Sequence, residues 1–319
     1  MALIYNATFD KNTRKLSFED KAGNEVYSFI VPEREKDDIT KPLTFKAIQD
    51  GSTVKLKKRA TPSGSFQTSR DGGKTWVDYT KNTAIPLNTG DEVSFRAKTN
   101  RTEAQSFQSC FSFEMTGKIE AWHNVMSMYR TNDFATYNTM VESAFNSLFW
   151  DCTSLTKAPK LPWTTLARDC YEFMFGGCQS LTKAPELPAT TLVYGCYSNM
   201  FNGCRSLTKA PELPATTLES WCYYVMFGNC RSLTKAPELP ATTLAQNCYT
   251  SMFDGCLSLN EVRVSATTMT ATNALDGWLS DVSATGDFYC DPNATIFKAN
   301  SISGIPANWT RHNIADYPN

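Results

Sequence analysis

The sequence predicts a multidomain protein in which an N-terminal antiparallel β-sandwich-like part is followed by an α/β solenoid. The first observation is a leucine that recurs every 26 residues, at Leu155, Leu181, Leu207, Leu233 and Leu259. The second observation is that the string SLTKAPELPATTL occurs unchanged around the middle three of these leucines. A fixed period of this length is typical of repeats that bury their apolar faces against each other. The third observation is that short alternating runs, separated by turn residues, fill the chain before residue 117.

Each repeat divides into two halves with different patterns. In the first half, apolar residues fall at i, i+1, i+4, i+5 and i+8, as in Cys196, Tyr197, Met200, Phe201 and Cys204. This spacing places them on one face of a helix. The second half is too rich in proline for a helix and predicts a short extended segment. One short helix and one short strand per repeat are typical of a leucine-rich repeat.

The predicted helices have recognisable ends. Thr216 and Glu219 form a capping box at one helix start. Past the helix ends lie residues that adopt the left-handed conformation readily, namely Gly177, Gly203, Asn229 and Gly255. The apolar face recurs in degenerate form one period before and one period after the clear repeats, which predicts six helices with a cap at each end.

Three domains are expected from these patterns. Residues 1–41 are predicted to form a small β meander that ends in a charged hinge at 32–38 and anchors the chain. Residues 42–117 are predicted to form a β-sandwich-like domain, because short strands alternate there with turn sequences. Residues 118–319 hold the predicted leucine-rich-repeat solenoid with degenerate N- and C-terminal caps.

Composition excludes several classes of partner. Thirty-one basic residues against 32 acidic ones leave a net charge of −1, so nucleic acid is not an expected partner. The sequence contains no stretch of 18 apolar residues, so membrane insertion is not expected. Residues 1–10 do not resemble a signal peptide.

The cysteines follow the repeat. Nine of the eleven recur once per repeat, at Cys152, Cys178, Cys204, Cys230 and Cys256 on one register and at Cys170, Cys196, Cys222 and Cys248 on another. This recurrence predicts free thiols used as small buried apolar side chains, with disulfides as the alternative. The spacings lack the paired cysteines of a zinc site.

No catalytic constellation is present in the sequence. His123 and His312 are the only histidines, and neither has the spacing of a metal site or a triad. The stretch from Ser69 to Trp76 fits an Asp-box hairpin, which predicts a structural turn, with a glycan site as the alternative. The sequence therefore predicts a protein that is not an enzyme and has no catalytic residues, metal or cofactor.

Two surfaces of the repeats are candidates for binding. Some positions differ freely between repeats, which predicts that they point away from the core, and several carry the residue types found at binding hot spots. The predicted contact residues are Arg168, Phe173, Tyr194, Trp221, Tyr224 and Gln246. A solvated face without a partner is the alternative. The rival surface is the pair of charged rows formed by Lys183, Lys209 and Lys235 and by Glu186, Glu212 and Glu238, which predicts either a solubilising role or a repetitive ligand such as a polysaccharide.

The string M-F-x-G-C-x-S-L-T-x-A-P-x-L-P, from Met200 to Pro214 and in two further copies, resembles the BspA-like leucine-rich-repeat surface proteins. The resemblance covers about 150 residues, with a 26-residue unit and proline where the family often has isoleucine. It implies a non-catalytic surface protein of gut or oral anaerobes or of their phages, engaged in adhesion or display.

From this resemblance we expect a fibre or decoration component on the surface of a phage virion, attached to a host cell-surface protein or glycan through the repeats. The N-terminal part is then expected to contact other virion or surface proteins, and a homo-oligomer is compatible with that role. A bacterial cell-surface adhesin and a purely structural scaffold are the alternatives.

Overall fold

The computed structural model describes six stretches of the chain, residues 6–10, 15–22, 24–30, 37–58, 66–100 and 111–317. Contacts divide the chain into two compact units, Met1–Asp37 and Asp38–Asn319. In the first unit, β1 (Asn6–Asp10), β2 (Lys15–Glu19) and β3 (Glu25–Ile30) form an antiparallel sheet in the order β1-β2-β3. The predicted meander is thus present, whereas most of the predicted hinge at 32–38 lies outside the described residues.

The second unit begins with two sheets. Their strands are β4 (Thr44–Ala47), β5 (Ser52–Lys58), β6 (Phe66–Ser69), β7 (Val77–Asp78), β8 (Ile85–Leu87), β9 (Glu92–Ala97), β10 (Phe111–Thr116), β11 (Ile119–Trp122) and β12 (Leu155–Lys157). One sheet has the order β10-β5-β8 and the other β12-β11-β4-β9-β6-β7. Phe45 on β4 contacts Phe113 on β10 with ring centroids 4.5 Å apart, so the space between the two sheets is filled by aromatic side chains.

The larger sheet continues into the repeats. Its strand β11 pairs with β4 on one side and, in parallel, with β12 on the other. Hydrogen bonding therefore runs across the predicted domain boundary at residue 117.

The prediction of an α/β leucine-rich-repeat solenoid is wrong. No α-helix occurs in the described residues, and the segments predicted to be helical are runs of consecutive turns. Helical geometry in this part of the chain is limited to short 3-10 segments at Val125–Met128, Thr272–Leu275 and Ile314–Asp316. None of the described residues forms a helix with the length and apolar character that crossing a membrane requires.

The hydrogen bonds of the turn segments explain why no helix forms. The N–H groups of Phe173 and Phe175 donate to carbonyls of the next repeat, at 3.0 and 2.9 Å, while Met174 between them donates three residues back to Tyr171 at 3.1 Å. Every second N–H group donates its hydrogen bond outside its own segment, so the continuous i→i−4 pattern of an α-helix is absent. Successive repeats are instead joined directly through their backbones.

Left-handed residues recur every fourth position in these segments. Asp169, Phe173 and Gly177 have φ values of 52°, 53° and 75°. The left-handed conformation predicted for Gly177, Gly203, Asn229 and Gly255 is confirmed, with φ values of 75°, 78°, 58° and 72°, although these residues end turns rather than helices.

The proline-rich halves of the repeats pair only sparsely. In the middle repeats, pairing is reduced to isolated parallel bridges such as Lys183 with Lys209. Longer parallel pairing occurs toward the C-terminus, through β13 (Thr243–Leu244), β14 (Glu261–Arg263), β15 (Thr268–Met269), β16 (Gly286–Cys290) and β17 (Trp309–Asn313), in the orders β13-β15 and β14-β16-β17. Proline at a fixed place in each middle repeat removes a backbone donor and limits the pairing.

The core between the two halves of each repeat contains two aromatic columns. In the Phe column, Phe149, Phe175, Phe201, Phe227 and Phe253 follow one another with ring centroids 5.4–5.7 Å apart. In the Tyr column, Tyr171, Tyr197, Tyr223 and Tyr249 are spaced by 5.8–6.0 Å. We call residues 143–282, which these columns connect, the repeat stack.

The cysteines complete this core. The ten described cysteines are all buried, and none of them is in a disulfide. One row also donates hydrogen bonds, because the thiol of Cys178 reaches the carbonyl of Phe149 at 3.1 Å and that of Cys204 reaches Phe175 at 3.1 Å. Burial raises the pKa of the Cys204 thiol to about 12, so this row stays protonated and able to donate at neutral pH.

Candidate functional site

The six predicted contact residues lie on the outer side of the turn segments, which we call the turn face. Arg168 and Tyr194 occupy the same register in neighbouring repeats and contact each other, with the guanidinium carbon 4.1 Å from the ring centroid. The guanidinium also lies 3.2 Å from a carboxylate oxygen of Asp169 and 3.8 Å from one of Glu142. Arg168 is thus fixed between an aromatic ring and two carboxylates.

A second pair lies one repeat further along the stack. The rings of Trp221 and Tyr224 are 4.6 Å apart and inclined by 56°. The N–H of Trp221 donates to the carbonyl of Gln246 at 3.1 Å, which places the exposed Gln246 side chain on the following repeat. The structure therefore brings Arg168 together with Tyr194, and Trp221 together with Tyr224.

Phe173 belongs to a different contact. Its ring centroid lies 6.4 Å from that of Trp150, an aromatic residue that the sequence analysis did not select. Trp150 lies in the degenerate first repeat, whose sequence differs too much from the others to show which positions vary between repeats. Trp150 could have been identified only from its position, one residue after the buried Phe149 and 26 residues before the buried Gly176.

Three bulky residues of the turn face have an unfavourable backbone conformation. Phe173, Trp221 and Val225 have φ values of 53°, 64° and 51°, in the left-handed region. At the same two registers, the other repeats have Ser143, Asp169, Gly195 and Asn247, or Ser147, Asn199 and Ser251. Glycine, asparagine and aspartate tolerate this conformation, whereas bulky and β-branched residues do not. Each bulky residue here costs on the order of 1–3 kcal/mol.

A carboxylate beside the Arg168 pair is held in an unfavourable environment. Glu172 is half-buried and accepts a hydrogen bond from the side-chain amide of Asn146 at 2.7 Å. Desolvation and the nearby charge of Asp169 raise the pKa of Glu172 to about 7, against the weaker opposing effect of the Asn146 hydrogen bond. The charge of this part of the turn face therefore changes near neutral pH.

We expect Glu172→Gln to stabilise the protein at pH 8 by about 1–2 kcal/mol, a value reduced for partial exposure to solvent. The folded state holds the proton of Glu172 more tightly than the unfolded chain, whose pKa is 4.5. The contribution of Glu172 to stability must therefore fall as the pH rises from about 4.5 to about 7, and the glutamine variant must lack this loss. Urea unfolding at pH 5 and pH 8 measures both slopes.

Thr250→Gln, at the same register three repeats further along, provides the matched control because it introduces glutamine where no carboxylate is lost. An equal stability change at pH 5 and pH 8 in the Glu172 variant would contradict the assignment of the raised pKa.

The charged rows lie on the opposite, proline-rich side of the repeats, and their lysines and glutamates at 183, 186, 209, 212, 235 and 238 are exposed. At the C-terminal end, these charges pair with residues of the following repeat. There, the ammonium of Lys235 lies 2.8 Å from Glu261 of the next repeat, and Glu238 is paired with Arg263.

The remaining sequence motifs are structural. Asp71 accepts hydrogen bonds from the backbone N–H groups of Lys74 and Thr75 at 3.0 and 2.9 Å, which closes the predicted Asp-box hairpin. His123 accepts a hydrogen bond from the N–H of Asp38 at 3.1 Å, whereas His312 lies 2.7 Å from Asp287. Across the described ranges, no group of three histidine, cysteine or carboxylate side chains is arranged to hold a metal ion.

Comparison with known proteins adds no relative to this picture. No family model, no curated protein and no solved structure matches the chain.

Proposed function

We propose that the chain is a non-enzymatic binding protein that attaches to a host cell surface through the turn face of its repeat stack. The observation that carries this proposal is the presence of Phe173, Trp221 and Val225 in left-handed conformation where neighbouring repeats have glycine, asparagine, aspartate or serine. The left-handed conformation of these three residues costs folding free energy, and strain of this kind is concentrated at functional sites.

The composition of the face supports the same conclusion. Tryptophan, tyrosine and arginine are the residue types enriched at binding hot spots, and Arg168, Tyr194, Trp221 and Tyr224 form two preformed contact pairs. Side chains that are already packed together lose less conformational entropy when a partner binds. Location on a phage virion and location on a bacterial surface are both compatible with such a face, and the virion is our proposal on the basis of the repeat motif.

We expect a triple variant with Tyr194→Ser, Trp221→Asn and Tyr224→Thr to lose binding to host cells at least tenfold. Each new residue already occupies the same register in another repeat, at Ser220, Asn247 and Thr250, so the backbone conformation is kept. The melting temperature should stay the same or rise, because Trp221→Asn removes backbone strain. Flow cytometry with the fluorescently labelled full chain on cultured gut and oral anaerobes measures the binding.

Leu257→Arg provides the matched control. Leu257 is 53% exposed, and Arg231 occupies the same register in the preceding repeat. This variant therefore also replaces an exposed apolar residue with the residue found at that register in another repeat. The control should bind like the wild type. Staining of no strain at all, or undiminished staining by the triple variant, would favour a purely structural scaffold and contradict the proposal.

A further inference from the structure

A groove lies on the proline-rich side of the repeat stack, away from the turn face. It has a volume of about 600 Å³, within the range of ligand sites in proteins. Its floor and sides are formed by two successive copies of the same sequence, 208–212 and 234–238, and Arg263 and Tyr317 line it as well.

The end of the groove at Tyr317 is rigidly built. The hydroxyl of Tyr317 donates a hydrogen bond to the carboxylate of Glu261 at 2.6 Å, and the ammonium of Lys235 forms an ion pair with the same carboxylate at 2.8 Å. The same ring lies 4.8 Å from the Lys235 nitrogen and 4.6 Å from the guanidinium carbon of Arg263. These contacts fix an aromatic residue from the end of the chain against the groove.

The middle of the groove is open for hydrogen bonding. Lys209 and Glu212 line it and form no ion pair with any residue in the described part of the chain. Together with Thr208 and Thr234, they offer donors and acceptors from both sides. Between them lie the alanine and proline side chains of each copy, which form a small apolar strip.

The charges in and beside the groove balance. Lys209, Lys235 and Arg263 are matched by Glu212, Glu238 and the paired Glu261. A groove with no net charge gives no long-range attraction to an ionic ligand. Dense donors and acceptors beside apolar strips suit a molecule with many hydroxyl groups and with C–H faces between them.

We propose that this groove binds a neutral glycan chain, with successive sugar units lying across successive repeats. The repeats follow each other at the spacing of their stacked rings, 5.6 Å between Phe175 and Phe201 and 5.7 Å between Phe201 and Phe227, which is comparable to the length of one sugar unit. Each unit therefore meets the same lysine, glutamate, alanine and proline. This glycan site goes beyond the attachment role proposed above, because it shares no residue with the turn face.

The test is binding of the labelled full chain to an array that carries neutral and acidic microbial glycans. We expect binding to neutral glycans and a loss of at least tenfold in the double variant Lys209→Ala, Glu212→Ala. The control is Lys183→Ala, Glu186→Ala, which makes the same change in the same sequence one repeat before the groove. It should keep most of the binding.

Binding to acidic glycans alone, binding to none, or an equal loss in both double variants would overturn the proposal. The triple turn-face variant should bind neutral glycans like the wild type. That result separates failure of the groove from failure of the turn face, because each set of variants changes only one of the two surfaces.

Discussion

Replacing Phe201 by alanine is expected to lower the free energy of unfolding by about 3–5 kcal/mol. The Phe201 ring is fully buried and lies between two parallel rings, 5.6 Å from Phe175 and 5.7 Å from Phe227. Because Phe201 packs against a ring of the repeat before it and a ring of the repeat after it, a cavity at this position weakens the packing on both sides. Urea unfolding followed by circular dichroism measures the loss.

Phe173→Asn provides the control for this prediction. Phe173 is the same residue type, two positions before the column residue Phe175, but it lies on the turn face in left-handed conformation with φ 53°. Asparagine adopts this conformation readily, so the variant should change stability by less than about 1 kcal/mol or increase it. If Phe201→Ala cost no more than Phe173→Asn, the aromatic columns would not be the main source of stability in the repeat stack.

The contrast between Phe173 and Phe201 also shows how far the sequence predicts this fold. The repeat unit and its buried apolar residues follow from the sequence, because a residue that recurs every 26 positions must meet its own copy when repeats pack. Cys196, Tyr197, Met200 and Phe201 are indeed all buried. Secondary structure was the error, since apolar residues four apart lie on one face of an α-helix and equally on one side of a run of turns.

The distinguishing feature is in the sequence, but it depends on several repeats at once. Every fourth position of the turn segments is left-handed, and most repeats have glycine, asparagine, aspartate or serine there, as at Asp169, Asn199 and Gly203. Only the last of these positions in each repeat is predicted to be left-handed, as the residue just past the end of a helix. Phe173, Trp221 and Val225 hide the pattern at the others.

The candidate sites were predictable only where residues share the repeat. The contact of Arg168 with Tyr194 follows from their common register, 26 residues apart. The end of the groove at Tyr317 does not follow from the repeat register, because Tyr317 lies outside the regular repeats and contacts Glu261, 56 residues earlier in the chain. Long-range contacts from an irregular segment carry no periodic pattern, so the groove required the structure.

Trp278 extends both aromatic columns, and its replacement by alanine is the second large effect that we expect. The buried indole stacks on Tyr249 at 6.1 Å and contacts Phe253 at 6.5 Å, and Phe297 stacks on the indole in turn at 5.9 Å. One side chain therefore joins both columns to the segment that follows them. Its N–H donates to the carbonyl of Gly304 at 3.0 Å, in the segment that covers it. Loss of the ring should cost about 3–5 kcal/mol, and loss of the hydrogen bond leaves a buried carbonyl unpaired.

Trp278→Ala should also make the protein self-associate, since the cavity loosens the C-terminal segment that packs on the indole through Phe297 and so exposes apolar surface. Light scattering after size-exclusion chromatography measures this at temperatures below the melting transition. Trp278→Phe separates the two roles of the indole, because a phenyl ring still covers Tyr249 but cannot donate to Gly304. We expect this variant to keep the light-scattering mass of the wild type and to lose about 1–3 kcal/mol. Self-association of both variants to the same extent would show that the hydrogen bond to Gly304, rather than coverage of the aromatic columns, keeps the end of the repeat stack closed.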